Sequence, residues 1–150
     1  MKHITTFAAL AAFAFAGSVG AADQSETLEI VTQDVTEVEL SDFLWTKRPI
    51  VVFADTPADP RFSEQLDLLR SRSEALIERD VVVITDTNSG VLSPLRKKLR
   101  PRGFMLVLIG KDGDVKLRKP TPWNVREITR IIDKMPMRQR EIREGRATGG

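Results

Sequence analysis

Ile50-Val51-Val52-Phe53-Ala54-Asp55-Thr56-Pro57-Ala58-Asp59-Pro60-Arg61 is the stretch on which the fold turns. Its first five residues are apolar without alternation, the pattern of a strand covered on both faces. Asp55 to Ala58 form a loop. Asp59 then stands where a helix N-cap belongs, and Pro60 fits the first helical position because it has no N–H to leave unbonded. Beyond it, Phe62, Leu66, Leu69 and Leu76 recur at the helical period, which predicts a helix from Pro60 to about Arg79. The unit is therefore a buried strand running straight into a helix.

Reading outward from it, the same grammar repeats. Val81 to Ile84 make a second buried strand, Asn88-Ser89-Gly90 a turn, and Ser93-Pro94 another cap and proline. The short helix they begin must stop by Leu99 or Arg100, because Pro101 disfavours helical backbone before it. Phe104 to Ile109 and Val115 to Leu117, joined by the turn Lys111-Asp112-Gly113-Asp114, read as a strand pair. Thr121-Pro122 are expected to cap a last helix with the stripe Val125, Ile128, Ile132 and Met135, ended by Pro136. Upstream, Leu28 to Val31 suit a short edge strand, and Ser41 to Trp45 a capped helical turn. The order β-α-β-α-β-β-α predicts an α/β fold: one mixed sheet of four or five strands with helices on both faces, the helix-linked strands parallel and the closing hairpin antiparallel.

The ends of the chain read differently. Lys2 precedes an apolar, Ala- and Phe-rich run from Ile4 to Phe15, and small residues follow through Ala22. A charged start, an apolar middle and a small-residue end are the marks of a secretory signal. The run is shorter than the roughly 20 residues that span a bilayer. Residues 1–22 are thus expected to be a signal peptide, 23–137 the folded domain, and 138–150 a flexible tail, charged and then glycine-rich. Export to the periplasm or beyond follows, with no transmembrane segment in the mature chain.

Composition then removes chemistry. The chain has no Cys, no Tyr and one His, His3, which would leave with the signal. Without Cys there is no thiol nucleophile, disulfide or thiolate metal site. Without His, the usual general base and the commonest zinc or copper ligand are missing. No phosphate-binding glycine motif appears, so no cofactor is expected. The formal net charge of +2 is too small to suggest nucleic acid as a partner.

Several segments together resemble a known family. They are Asp42-Phe43-Leu44-Trp45, Arg48-Pro49, Asp59-Pro60-Arg61, Gly103-Phe104, Leu108 to Gly113, Val115 to Arg118, and Asp133 to Arg138. With the element order, they are similar to a group of short exported bacterial proteins carrying a thioredoxin-like domain of unknown function. A related domain occurs in extracellular sushi-repeat proteins. The resemblance implies a thioredoxin-like fold. It also implies that the redox cysteines of thioredoxins would fall at Thr56-Pro57-Ala58-Asp59, where no disulfide can form. The proline loop of thioredoxins would fall near Arg102-Gly103, with Pro101 just upstream.

The candidate sites follow from that fold. A groove is expected where the helix start at Thr56 and Asp59 meets the loop at Arg102 and Gly103. There Arg61 and Arg102 would clamp a carboxylate or phosphate. The competing reading is that Asp59 simply caps its helix. Asp55, Asp59 and Asp86 are the catalytic candidates, since clustered carboxylates can divide acid and base roles. Asp residues also gather at such ends for local reasons. Asp112-Gly113-Asp114 reads as a turn, not a metal loop. The basic run Arg96, Lys97, Lys98, Arg100 and Arg102, with Lys116, Arg118 and Lys119, reads as a solvated face, with contact to an anionic envelope polymer or lipid as the alternative. Trp45 and Trp123 read as packing residues. The leading expectation is a redox-inactive module that binds an anionic small ligand, a peptide or an envelope protein. A carboxylate-dependent hydrolase and a ligand-free structural or stress-protective protein are the alternatives.

Overall fold

The computed structural model describes residues 26–32 and 36–148. The predicted signal peptide, residues 1–22, lies outside them. Strand β1 is Ile30–Val31, followed by a 3-10 turn at Leu40–Phe43 and strand β2 at Arg48–Phe53. Helices α1 (Pro60–Ser71) and α2 (Ser73–Ile77) lead to β3 (Val81–Asp86) and then α3 (Pro94–Leu99). Strands β4 (Met105–Ile109) and β5 (Val115–Lys119) form a hairpin, and α4 (Val125–Asp133) and α5 (Pro136–Thr148) close the chain.

The five strands lie in the order β1-β3-β2-β4-β5. β3 runs parallel to both β1 and β2, while β4 is antiparallel to both β2 and β5, so the strand after α3 reverses the parallel direction expected of a strand that follows a helix. All residues of β2 and β3 are buried, as their unbroken apolar runs require of strands covered on both faces. One face is filled by Ile50, Val52, Val83, Leu106 and Leu108 against Leu66, Leu69, Leu76, Ile128 and Ile132 of α1, α2 and α4. The other packs Val51, Phe53, Ile84, Val107 and Ile109 against Leu95 and Leu99 of α3 and Leu40 of the 3-10 turn. Buried Gln65 of α1 joins the first layer to the α4 approach. Its Nε2 donates to the Trp123 carbonyl at 2.9 Å and its Oε1 accepts from the Trp123 N–H at 2.8 Å.

Four local expectations need correction. The helix expected to run unbroken to Arg79 breaks at Arg72 (φ −136°), just after Ser71 turns its hydroxyl onto the Leu68 carbonyl at 2.8 Å. The last core helix is capped by Asn124, whose Oδ1 accepts from the Glu127 N–H, and not by Thr121. The turn near Ser41 is 3-10 and begins at Leu40, without a side-chain cap. The tail expected from residue 138 is helix α5, with Arg138 buried and Glu141 half-buried. Ion pairs of Arg138 and Glu141 with Glu78, Arg48 and Lys111 help fasten it.

Trp45 also departs from its reading: it is 65% exposed and holds a left-handed backbone (φ 66°), its N–H bonded to the Lys111 carbonyl. Trp123 does pack on the first core layer, with the Lys119 ammonium 4.4 Å above its ring.

Candidate functional site

β2 and β3 end side by side, with Phe53 opposite Asp86 in register, and both strands deliver their loops to one edge of the sheet. The Ala54 N–H donates to the Asp86 carbonyl, and Ser89 reaches back to the Asp55 carbonyl at 3.3 Å. The loop before β4 comes up beside them. It leaves α3 through Arg100 and enters β4 through Gly103, both left-handed (φ 49° and 60°). A side chain built on Gly103 would stand 4.0 Å from Asp55 Oδ2. Between these loops lies an open cleft of about 470 Å³, lined by Asp55, Ser89, Leu92, Arg96, Arg100, Pro101, Arg102 and Gly103.

The floor of the cleft is a buried ion pair. Arg96 Nε donates to Asp86 Oδ1 at 3.0 Å, and its Nη2 donates to the carbonyls of Ala54 and Asp86. Ser93 Oγ donates to Asp86 Oδ2 at 2.7 Å while accepting from the Arg96 N–H as the α3 cap. The Asn88 N–H also donates to Asp86 Oδ1. The guanidinium lies 5.3 Å from the Phe53 ring centre. Asp86 therefore has its oxygens occupied by fixed donors. Such a carboxylate holds two loops in place.

The other expected site residues divide. Asp55, Arg102 and Gly103 line the cleft, but Thr56, Asp59 and Arg61 do not. Asp59 caps α1 by accepting from the Arg61 N–H at 2.9 Å. The Arg61 side chain returns to the same carboxylate through Nε and Nη2, at 3.1 and 2.8 Å, with its guanidinium 5.6 Å from the Phe104 ring centre. Hydrogen bonding to that guanidinium holds the Asp59 carboxyl below its ordinary range. Thr56 Oγ1 accepts from the Ala58 N–H, a local turn contact. The expected clamp of Arg61 with Arg102 is thus not assembled, because a cation two residues from a carboxylate pairs with it first.

Arg100 takes the place that Arg61 was expected to fill. Arg100 and Arg102 are exposed and enter no ion pair among the described residues. Beside them Leu92, which also lines the cleft, is 66% exposed, an apolar lip on a cationic cleft. The basic run therefore splits, with Arg96 turned inward as the floor and Arg100 and Arg102 facing the opening. Charge density alone reads Arg96 and Arg100 as equally solvated. The two prolines, Pro94 and Pro101, were the one signal that could have separated them, since they fix where α3 begins and ends.

A five-stranded mixed sheet with this order, flanked by helices on both faces, defines a thioredoxin-like domain, here one with no cysteine at all. Thioredoxin z of chloroplasts superposes with a TM-score of 0.53 at 22% identity, over 72% of this chain and 93% of that one. Desulfothioredoxin from Desulfovibrio vulgaris Hildenborough gives 0.51 at 21% identity, over 70% and 97%. More particularly, residues 39–141 match the family described as domain of unknown function DUF4174, and the chain belongs to that family. Coiled-coil domain-containing protein 80 of Danio rerio is 28% identical over 133 residues, which cover 69% of this chain. The match spans 15% of that much longer protein.

Proposed function

We propose that this domain is a redox-inactive binding module that works outside the cytoplasm and takes an acidic ligand with an apolar flank in the Arg100–Arg102 cleft. The observation that carries the reading is the pair of exposed guanidiniums, unpaired among the described residues, set beside exposed Leu92. A guanidinium offers paired donors matched to a carboxylate, and two on one loop favour a ligand with more than one negative group. Leu92 and Pro101 supply the apolar contact that a free inorganic anion would leave unused. An acidic peptide segment containing one large apolar residue suits the cleft best. The leader at residues 1–22, with its charged start and apolar centre, supports action in the periplasm or outside the cell.

Calorimetry of the mature chain against short peptides of equal length, acidic or basic around one leucine, tests the reading. Binding of the acidic peptides alone is expected, weakened about tenfold or more by Arg102→Ala or Arg100→Asn, a loss on the scale of one charge-assisted contact. Asparagine tolerates the left-handed backbone at 100, so that variant keeps the loop. Equal binding of basic peptides, or no heat with any peptide, would overturn the proposal. Cell fractionation of the full-length chain tests export, and retention in the cytoplasm with the leader uncleaved would refute that part.

A further inference from the structure

At the other end of β2 the charges are arranged in an unusual order of depth. Arg48 is fully buried, and the side chains of Lys111, Arg138 and Arg79 are 10%, 10% and 14% exposed. Their carboxylate partners sit further out: Glu141 at 25%, Asp133 at 37%, Asp80 at 45% and Glu78 at 66%. Positive charge thus lies deeper than the negative charge that balances it. Nε of Arg48 is buried and has no hydrogen-bond acceptor among the described residues, whereas Nε of Arg138, which also makes no hydrogen bond, is ion-paired with Asp133 Oδ1 at 3.5 Å. The Arg48 charge is balanced by Glu141, but a buried N–H without an acceptor is costly, so an acceptor beside Nε would lower the energy of the fold.

Arg48 also lines a cavity of about 70 Å³, together with Lys111, Lys116, Gly110, Pro136 and Met137. Pro136 and Met137 open α5, a helix of 13 residues whose positive end and free first-turn N–H groups favour an anion. No side chain caps the Met137 or Arg138 N–H among the described residues. Asp112 shares the wall, but its Oδ1 accepts from the Asp114 N–H and its Oδ2 from Lys116 Nζ, so its charge is already matched. The space admits a small ion or a few waters and is too small for a peptide group or a sugar.

We infer that this cavity is a site for a small monovalent inorganic anion of chloride size, held by Arg48 Nε, the α5 N-terminus and the Lys111 and Lys116 ammoniums. The anion seats α5 on the end of the sheet, supplying the buried negative charge that the outlying carboxylates do not. The site is separate from the Arg100–Arg102 cleft and does not depend on the function assigned there.

The test compares melting of the full-length chain in sodium chloride and in sodium gluconate at matched ionic strength, gluconate being too large to enter. Chloride should add a saturable rise of about 4 °C by ten times its dissociation constant. Lys116→Met, at a partly exposed position, should keep the fold and shrink the chloride response. Glu141→Gln should lower the melting temperature yet enlarge the chloride response, because removing a carboxylate beside Arg48 and Lys111 makes the cavity more positive. In crystals grown with sodium bromide, an anomalous peak is expected within hydrogen-bond reach of Arg48 Nε. Superimposable chloride and gluconate curves, or bromide crystals without a peak at Arg48, would overturn the inference and leave water as the acceptor.

Discussion

Replacing Glu141 with Gln should destabilise this domain far more than its place near the end of the chain suggests. Glu141 accepts from Arg48 Nη2 at 2.9 Å and Nη1 at 3.3 Å, from Lys111 Nζ at 2.7 Å and from Arg138 Nη1 at 3.4 Å. Without its charge, fully buried Arg48 keeps only the Arg79 carbonyl, and Lys111 keeps only Asp80. Breaking a buried pair by removing one partner costs about 3–5 kcal/mol. Glu141 is a quarter exposed, so solvent screens part of that, and about 2–3 kcal/mol is the working figure.

The pH dependence gives an independent handle on the same contact. Burial opposes the charge on Glu141, yet hydrogen bonds from Arg48 and Lys111 outweigh it and hold the carboxyl at about 2 instead of 4.5. A depressed folded value means that the stabilisation is complete above the unfolded pKa of about 4.5 and drains away as pH falls toward about 2. The shift corresponds to about 3 kcal/mol before any allowance for exposure, in line with the figure from burial. Urea unfolding of both proteins at pH 7, 4 and 2.5 measures it. The variant should be weaker by 2–3 kcal/mol at pH 7, or roughly 8–12 °C in Tm, with m unchanged and the gap closing as pH falls. A gap under about 0.5 kcal/mol at pH 7, the ordinary scatter of surface changes, would refute the reasoning, as would a gap that pH does not move.

Other outcomes follow from the same geometry. Arg96→Met should cost about 3–5 kcal/mol in urea unfolding by stranding buried Asp86, and adding Asp86→Leu should restore part of the loss. Ending the chain at Met137 removes Arg138 and Glu141 together, and is expected to lower the melting temperature at least as much as Glu141→Gln does; ending it after Gly145 should change little. Ile128→Ala opens a cavity in the larger core layer and should cost about 2–5 kcal/mol, read by the same unfolding curves. Trp45→Gly and Arg100→Gly should be neutral or stabilising by up to about 1 kcal/mol, since each replaces a side chain at a left-handed position. Clear destabilisation by Trp45→Gly would mean that the exposed ring supports the fold after all.

The amino-acid sequence alone determined the central sheet and its layers. Ile50–Ala54, Val81–Ile84 and Phe104–Ile109 are apolar without a break and read as strands covered on both faces, and the helix joining the first two makes them parallel; the helix before the third does not, since β4 runs antiparallel to β2. Proline and its preceding cap residues placed the starts of α1 and α3 to the residue. The absence of Cys likewise settled from composition that no thiol chemistry occurs. Tertiary structure decided everything that depends on which charge meets which. Arg96 and Arg100 look alike in the chain, yet one is the buried floor of the cleft and the other faces its mouth. Arg61 looked free and is spent on Asp59, while Arg48 and Glu141 lie 93 residues apart and meet at 2.9 Å. Hydrophobic burial leaves a period in the sequence because each apolar residue contributes on its own. An ion pair leaves none, because its energy belongs to two residues and to the place where the fold brings them together.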